Sequence, residues 1–107
     1  MIIRLFKAKI HPGKLNSWEE KVEKFSIPWL KEQEGLLEYY PGKPLSDQSR
    51  VYSMLSLWES IEVLKKAVGE DWEQVVLLED EASLVEEASV EHFEFFGAPP
   101  AWLDSEA

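Results

Sequence analysis

The stretch Val51-Tyr52-Ser53-Met54-Leu55-Ser56-Leu57-Trp58 decides the fold. Side chains of a strand alternate between faces, so Val51, Ser53, Leu55 and Leu57 share one side and Tyr52, Met54, Ser56 and Trp58 the other. Neither face suits water, and a strand of this kind belongs in a sheet that is covered on both sides. Glu59-Ser60 comes next, with Ser60 placed to cap a helix presenting Ile61, Leu64 and Val68 and stopped by Gly69. Trp72, Val75 and Val76 point to a further helical turn or two. Ala82 to Glu87, carrying Leu84 and Val85, reads as a short helix, and Val90 to Phe96 as a last strand.

Upstream, Leu36 to Tyr40 is a short strand closed by Pro41-Gly42-Lys43-Pro44, with a polar loop over 46–49. Before it, Leu15, Trp18, Val22, Phe25 and Trp29 recur at spacings of three and four, which places them on one stripe of a helix with Glu19, Glu20, Glu23 and Lys24 outside. Ser17 and Glu20 could form a capping box, Pro28 should kink or split the last turn, and Gly35 ends the element. Ile2 to Ile10, apolar on both parities and stopped by His11-Pro12-Gly13, is the opening strand.

The order is βαββαβ, a ferredoxin-like α+β fold with an antiparallel sheet and its helices on one face. The other face is expected to carry Phe6, Tyr52, Met54, Trp58 and Val90. Apolar surface of that extent is seldom left wet, and burying it contributes about 25 cal/mol per Å². The economical solution is a homodimer with sheet against sheet, a dimeric α/β barrel whose unfilled space becomes a ligand cavity. Residues 1–97 form the domain and 98–107 a tail, in which Trp102 and Leu103 are expected to dock onto the helices or across the dimer.

The 107 residues carry a formal charge of −10, which disfavours nucleic acid and anionic membrane surfaces as partners. Nine Lys and Arg face seven acids up to Trp58, whereas two Lys face fourteen acids after it. There is no cysteine, so thiolate chemistry and disulfides are excluded. No apolar run approaches the roughly 20 residues of a membrane span, and a cytoplasmic location is expected.

The pieces Ile2 to His11-Pro12-Gly13-Lys14, Gly35-Leu36, Ser56-Leu57-Trp58-Glu59-Ser60 and Val90-Glu91-His92-Phe93, in this order and spacing, resemble the antibiotic biosynthesis monooxygenase-like family of the dimeric α/β-barrel superfamily. That resemblance implies the dimer. It also implies an activity drawn from cofactor-independent oxygenases of polycyclic aromatics, quinol oxygenases or haem-degrading enzymes. Trp58 resembles the tryptophan of the polyketide oxygenases, but their asparagine and tyrosine are replaced here by Met54 and Leu64. The polar residues of the haem-degrading branch fall on Phe6, Ala67 and the apolar run around Leu77, which argues against haem breakdown.

Among the remaining polar residues, His92 shares a parity with Val90, on a strand that neighbours the first, where Arg4 and Phe6 line the same face. A neutral imidazole can take a proton from a phenol or an activated carbon. Arg4 or Tyr52 could then hold the oxyanion, although Glu94 is an alternative partner for Arg4. Trp58, Phe6 and Met54 offer flat or apolar surface to a substrate, with Tyr39 a further candidate. His11 reads as a loop residue. There is no Gly-rich phosphate loop, HExxH or nucleophile elbow, and the adjacent Glu91 and His92 point to opposite faces, so neither metal nor cofactor is expected. The function read here is binding of a flat, largely apolar, aromatic or quinone-like molecule, with cofactor-independent oxygenation as its chemistry. The alternative is a non-catalytic dimeric module that binds a metabolite or docks a partner protein through the acidic second half.

Overall fold

In a computed structural model, which describes residues 1–46 and 48–98, β1 (Ile2–Ile10) leads into α1 (Leu15–Lys21), a π-helical stretch (Val22–Ser26) and α2 (Ile27–Lys31). Then come β2 (Leu36–Gly42), β3 (Val51–Trp58), α3 (Ile61–Val68), α4 (Glu79–Ala82) and β4 (Val85–Glu94). The strands pair antiparallel in the order β2-β3-β1-β4. With the helices on one face, this is the ferredoxin-like α+β arrangement.

The two faces are used the other way round from the sequence expectation. Trp18 of α1 is buried against Ala8, Ile10 and Tyr52, and Leu30 of α2 and Leu64 of α3 against Trp58, with Phe6 and Met54 beside them. The helices therefore cover the side that bears Phe6, Tyr52, Met54, Trp58 and Val90. The opposite side carries Ile3, Leu5, Leu55, Leu57 and Phe93, brought together by the pairings Ile3↔Leu57, Ile3↔Phe93 and Leu5↔Leu55. Two apolar faces on β3 are compatible with either assignment by parity; bulk decides, because the larger aromatic side fills the gap under two helices.

Pro28 acts upstream of its own position. It has no N–H for the carbonyl four residues back, and the helix absorbs this by widening over Val22–Ser26. The extra residue in that turn rotates the rest of the helix. Leu30 is buried, while Phe25 and Trp29 are 63% and 42% exposed, so the stripe expected through Phe25 and Trp29 shifts by one position. The expected capping box at Ser17 is not used, because the helix already begins at Leu15.

Gly35 closes the helical layer onto the sheet. Its φ of +85° is a glycine conformation, and an added Cβ would lie 2.6 Å from the Val63 side chain of α3. Its carbonyl accepts from the Glu59 N–H at 2.8 Å. Ser60 caps α3 as expected, its hydroxyl accepting from the Val63 N–H.

Two expected elements differ. Residues 70–78 form turns and loop rather than helix, with α4 limited to Glu79–Ala82, and β4 begins at Val85 instead of Val90. A register shift near Lys9 pairs Lys9 with Glu87 and Ile10 with Val85, and this bulge breaks the alternation that would mark a strand. Charged residues on β4 suit its place at the sheet edge. Trp102, Leu103 and the docking expected of the tail lie outside the described residues. No described helix is long and apolar enough to cross a membrane.

Leu64 is fully buried between Trp58 and Leu30. Leu64→Ala should cost about 2–5 kcal/mol in denaturant unfolding. Gly35→Ala should also destabilise, through its φ and the Val63 contact, whereas Leu45→Ala, at a fully exposed site, should leave the midpoint unchanged.

Candidate ligand cavity between the sheet and the helices

Between the helical layer and the sheet lies a cavity of about 900 Å³, within the size range of small-molecule sites. Phe6, Met54 and Trp58 supply its sheet wall; Trp18, Val22 and Leu30 its first helical wall; Ala67 and Val68 of α3, with Val76 to Leu78, the rest. The widened π-helical turn contributes to this space, since Val22 and Phe25 both reach the lining. Lys21 and Asp80, both in the lining, form an ion pair, and the Lys21 ammonium lies 5.3 Å from the Phe25 ring centre. Glu19 lies 3.4 Å from Lys43.

One polar row crosses this apolar wall. Register pairs Tyr39 with Ser56, Ser56 with Arg4 and Arg4 with His92, so four neighbouring strands each place one polar residue in line. Arg4 is 8% exposed and Ser56 2%. Arg4 Nη1 donates to the Trp72 carbonyl at 2.6 Å and to His92 Nε2 at 2.9 Å. A guanidinium can only donate, so Nε2 is the acceptor and the imidazole proton sits on Nδ1. The Trp72 ring meets His92 edge-on, with centres 4.9 Å apart. Among the described residues no carboxylate lies within 4 Å of Arg4, and Glu94, its expected partner, pairs instead with Ile2 in the ladder.

Burial lowers the Arg4 pKa from its ordinary value. Burial, and then the charge of Arg4, lowers that of His92, with Glu73 pulling the other way. His92 is therefore the neutral imidazole that a hydrogen bond from Arg4 requires. At the other end of the wall the Tyr52 hydroxyl donates to Glu19 at 2.5 Å, and this bond, ahead of Lys43, lowers the Glu19 pKa. Trp58 Nε1 donates to Ser56 Oγ at 2.8 Å.

Of the residues singled out in the sequence, Arg4, Tyr52, Phe6, Met54 and Trp58 line the cavity together. His92 stands beside Arg4 on the β4 side and is not part of the lining, and Tyr39 packs against the cluster of Leu30, Trp58 and Leu64. Three further residues belong to the site without having been singled out. Ser56 has a visible signal, a small hydroxyl between Met54 and Trp58 on an apolar parity. Glu19, expected to face solvent, turns to Tyr52. Trp72, expected to be helical, offers its carbonyl to Arg4, and nothing local in sequence marks that role.

The lowered His92 pKa has a defined sign. The unfolded chain takes up its proton near pH 6.5, the ordinary value, while the folded chain does so only at lower pH. The folded state thus binds fewer protons in between, and stability should fall as pH drops from 7 through 6.5 towards 5. His92→Gln should flatten that slope in urea midpoints measured across this window, in which the carboxylates have yet to protonate.

No curated protein matches the chain by sequence. In structure it is similar to protein SO0527 from Shewanella oneidensis, at 18% identity and TM-score 0.71 over 86% of this chain and 87% of that one. It is similar to a mutant of SnoaB, a cofactor-independent oxygenase from Streptomyces nogalater, at 13% and 0.68 over 92% and 96%. It is also similar to a mutant of MhuD with two manganese protoporphyrin IX bound per active site, at 15% and 0.68 over 94% and 100%. Identities this low carry the fold alone. The sequence profile of the antibiotic biosynthesis monooxygenase family matches residues 1–76, and the chain belongs to that family.

Proposed function

We propose that the chain binds a flat, largely apolar small molecule between its sheet and its helices and oxygenates it without a cofactor. The observation that carries this reading is the cavity itself: about 900 Å³, walled by Phe6, Met54, Trp58 and Trp18, with one buried guanidinium in its polar row. Trp58 is held through Ser56, so its ring is a fixed surface for an aromatic ligand. An anthrone-like ketone can lose a proton from its ring CH₂ and give an electron-rich anion. That anion adds O₂ to form a hydroperoxide, and loss of water leaves a new carbonyl, so that CH₂ and O₂ become C=O and H₂O. Arg4 is the buried cation of the lining able to hold the anionic oxygen, whereas the Tyr52 hydroxyl is engaged with Glu19. The lining offers a haem iron no imidazole, since neither His11 nor His92 is part of it.

The reading includes a homodimer. Ile3, Leu5, Leu55 and Leu57 lie together on the side away from the helices, with Phe93 47% exposed at its edge. A second copy of that face is its natural cover, and each subunit then keeps its own cavity. In sedimentation velocity the wild-type chain should run as a dimer at micromolar concentration and Leu55→Lys as a monomer; a monomeric wild type would remove the dimer.

The activity is checked by oxygen uptake with a panel of quinols and anthrones, with no flavin or metal added. Turnover of at least one is expected, and inactivity towards all would remove the oxygenase. Met54→Trp fills the cavity from its sheet wall, and should weaken binding of 2-naphthol, followed by tryptophan fluorescence, by about tenfold or more while the melting temperature holds.

A further inference from the structure

We infer that the cavity takes its ligand as a planar monoanion, with one ionised oxygen seated between the Arg4 guanidinium and the Ser56 hydroxyl. This inference rests on the cavity reading above and adds to it the charge state and the anchoring atoms.

Arg4 keeps donors free on its cavity side. A guanidinium has five N–H donors. Both hydrogens of Nη1 are committed, one to the Trp72 carbonyl and one to His92 Nε2. Nη2 and Nε make no hydrogen bond to the described residues, and Arg4 lines the cavity, so these donors open onto it. Both committed partners are neutral. A buried cation with neutral partners on one side and open donors on the other matches an anion brought from outside. Ser56 stands opposite Arg4 in the ladder and also lines the cavity. Its oxygen already accepts from Trp58 Nε1, so its own hydrogen is the part left to donate. Arg4 and Ser56, paired neighbours on the cavity wall, can therefore both donate to a ligand oxygen.

The charges around this point agree with the assignment. From β4 the facing group is His92, and from the segment after α3 it is Glu73, which acts on His92. Glu19 is engaged by Tyr52 and Lys43, and Asp80 by Lys21. Glu19 and Asp80 each have their own cation, and Glu23 and Glu81 are the other carboxylates of the lining. His92 and Trp72 are positioning residues: they fix Nη1 and so aim the remaining edge of Arg4. A bound phenol or enol is then stabilised as its conjugate base by Arg4, and its proton can leave to solvent without a base in the lining.

Two probes of matched shape test this in the wild-type protein. 2-Naphthoate should bind about tenfold tighter than 2-naphthalenemethanol, followed by tryptophan fluorescence. Bound 4-nitrophenol, whose two ionisation states differ in visible absorbance, should show its pKa lowered by about one unit. Arg4→Gln should abolish both the preference and the shift, and Ser56→Ala should reduce them. His92→Gln should shrink the shift while leaving the affinity for 2-naphthalenemethanol unchanged. Equal binding of the two naphthyl probes, or a nitrophenol pKa that is unshifted or persists lowered in Arg4→Gln, would overturn the inference and leave the cavity reading standing. Failure of every probe to bind would overturn both.

Discussion

A charged guanidinium in the inner strand of the sheet is the constraint on which the rest of this structure turns. Arg4 lies on β1, the strand flanked on both sides, and is nearly as well buried as its apolar neighbours. Burying a charge is costly unless it is hydrogen-bonded, and here the bonds come from distant parts of the chain. Trp72 belongs to the segment after α3 and His92 to the edge strand β4. One side chain therefore ties the segment that bounds the cavity to the sheet that floors it, and the edge-on contact of Trp72 with His92 closes the triangle.

The cavity has a second cause in the helical layer. An unbroken α-helix from Leu15 to Lys31 would keep Phe25 and Trp29 on the stripe of Trp18 and Val22. That stripe would set two large aromatics over Met54 and Trp58, in the volume now open. Pro28 prevents this by forcing the π-helical turn, which brings Leu30 down in their place and leaves Phe25 and Trp29 partly exposed at the rim of the cavity. A backbone defect imposed by one residue thus converts core volume into open cavity, in keeping with the frequent placing of π-helical turns at functional sites.

The fold is legible in the sequence because its signals are local. The alternation of β3, the Ser60 cap, the glycine stop at Gly35 and the turn at His11-Pro12-Gly13 each depend on a few neighbouring residues, and each is found where the chain implies it. Which face of β3 meets the helices is not legible, since both parities are apolar and only the volume under the helices separates them. The early start of β4 is hidden by a bulge, which is a property of two strands together. The candidate site divides in the same way. Parity alone groups Arg4, Phe6, Tyr52, Met54 and Trp58 on one wall, and it brings His92 next to Arg4. It cannot tell that the imidazole meets the guanidinium through Nε2 and stands outside the lining, because that depends on side-chain direction and on Trp72, far away in sequence.

Membership of the family sets the frame but leaves the chemistry to the lining. Where the oxygenases that the sequence resembles place polar groups on the third strand and second main helix, this chain has Met54 and Leu64, the first lining the cavity and the second sealed in the core. Its polar groups are carried instead by the first strand, at Arg4, and by the third, at Tyr52 and Ser56. Moving the charge to an inner strand has a physical consequence. A polar residue on a helix can relax with the helix, whereas Arg4 is held by strand pairing on two sides and by hydrogen bonds at its tip. The position of the charge is set before any ligand arrives, and preorganised charge is the form in which a protein stabilises an anion with the least rearrangement. An apolar cavity with one buried, strand-held cation presents shape along its walls and charge at a fixed place, the two features on which the proposed anion binding rests.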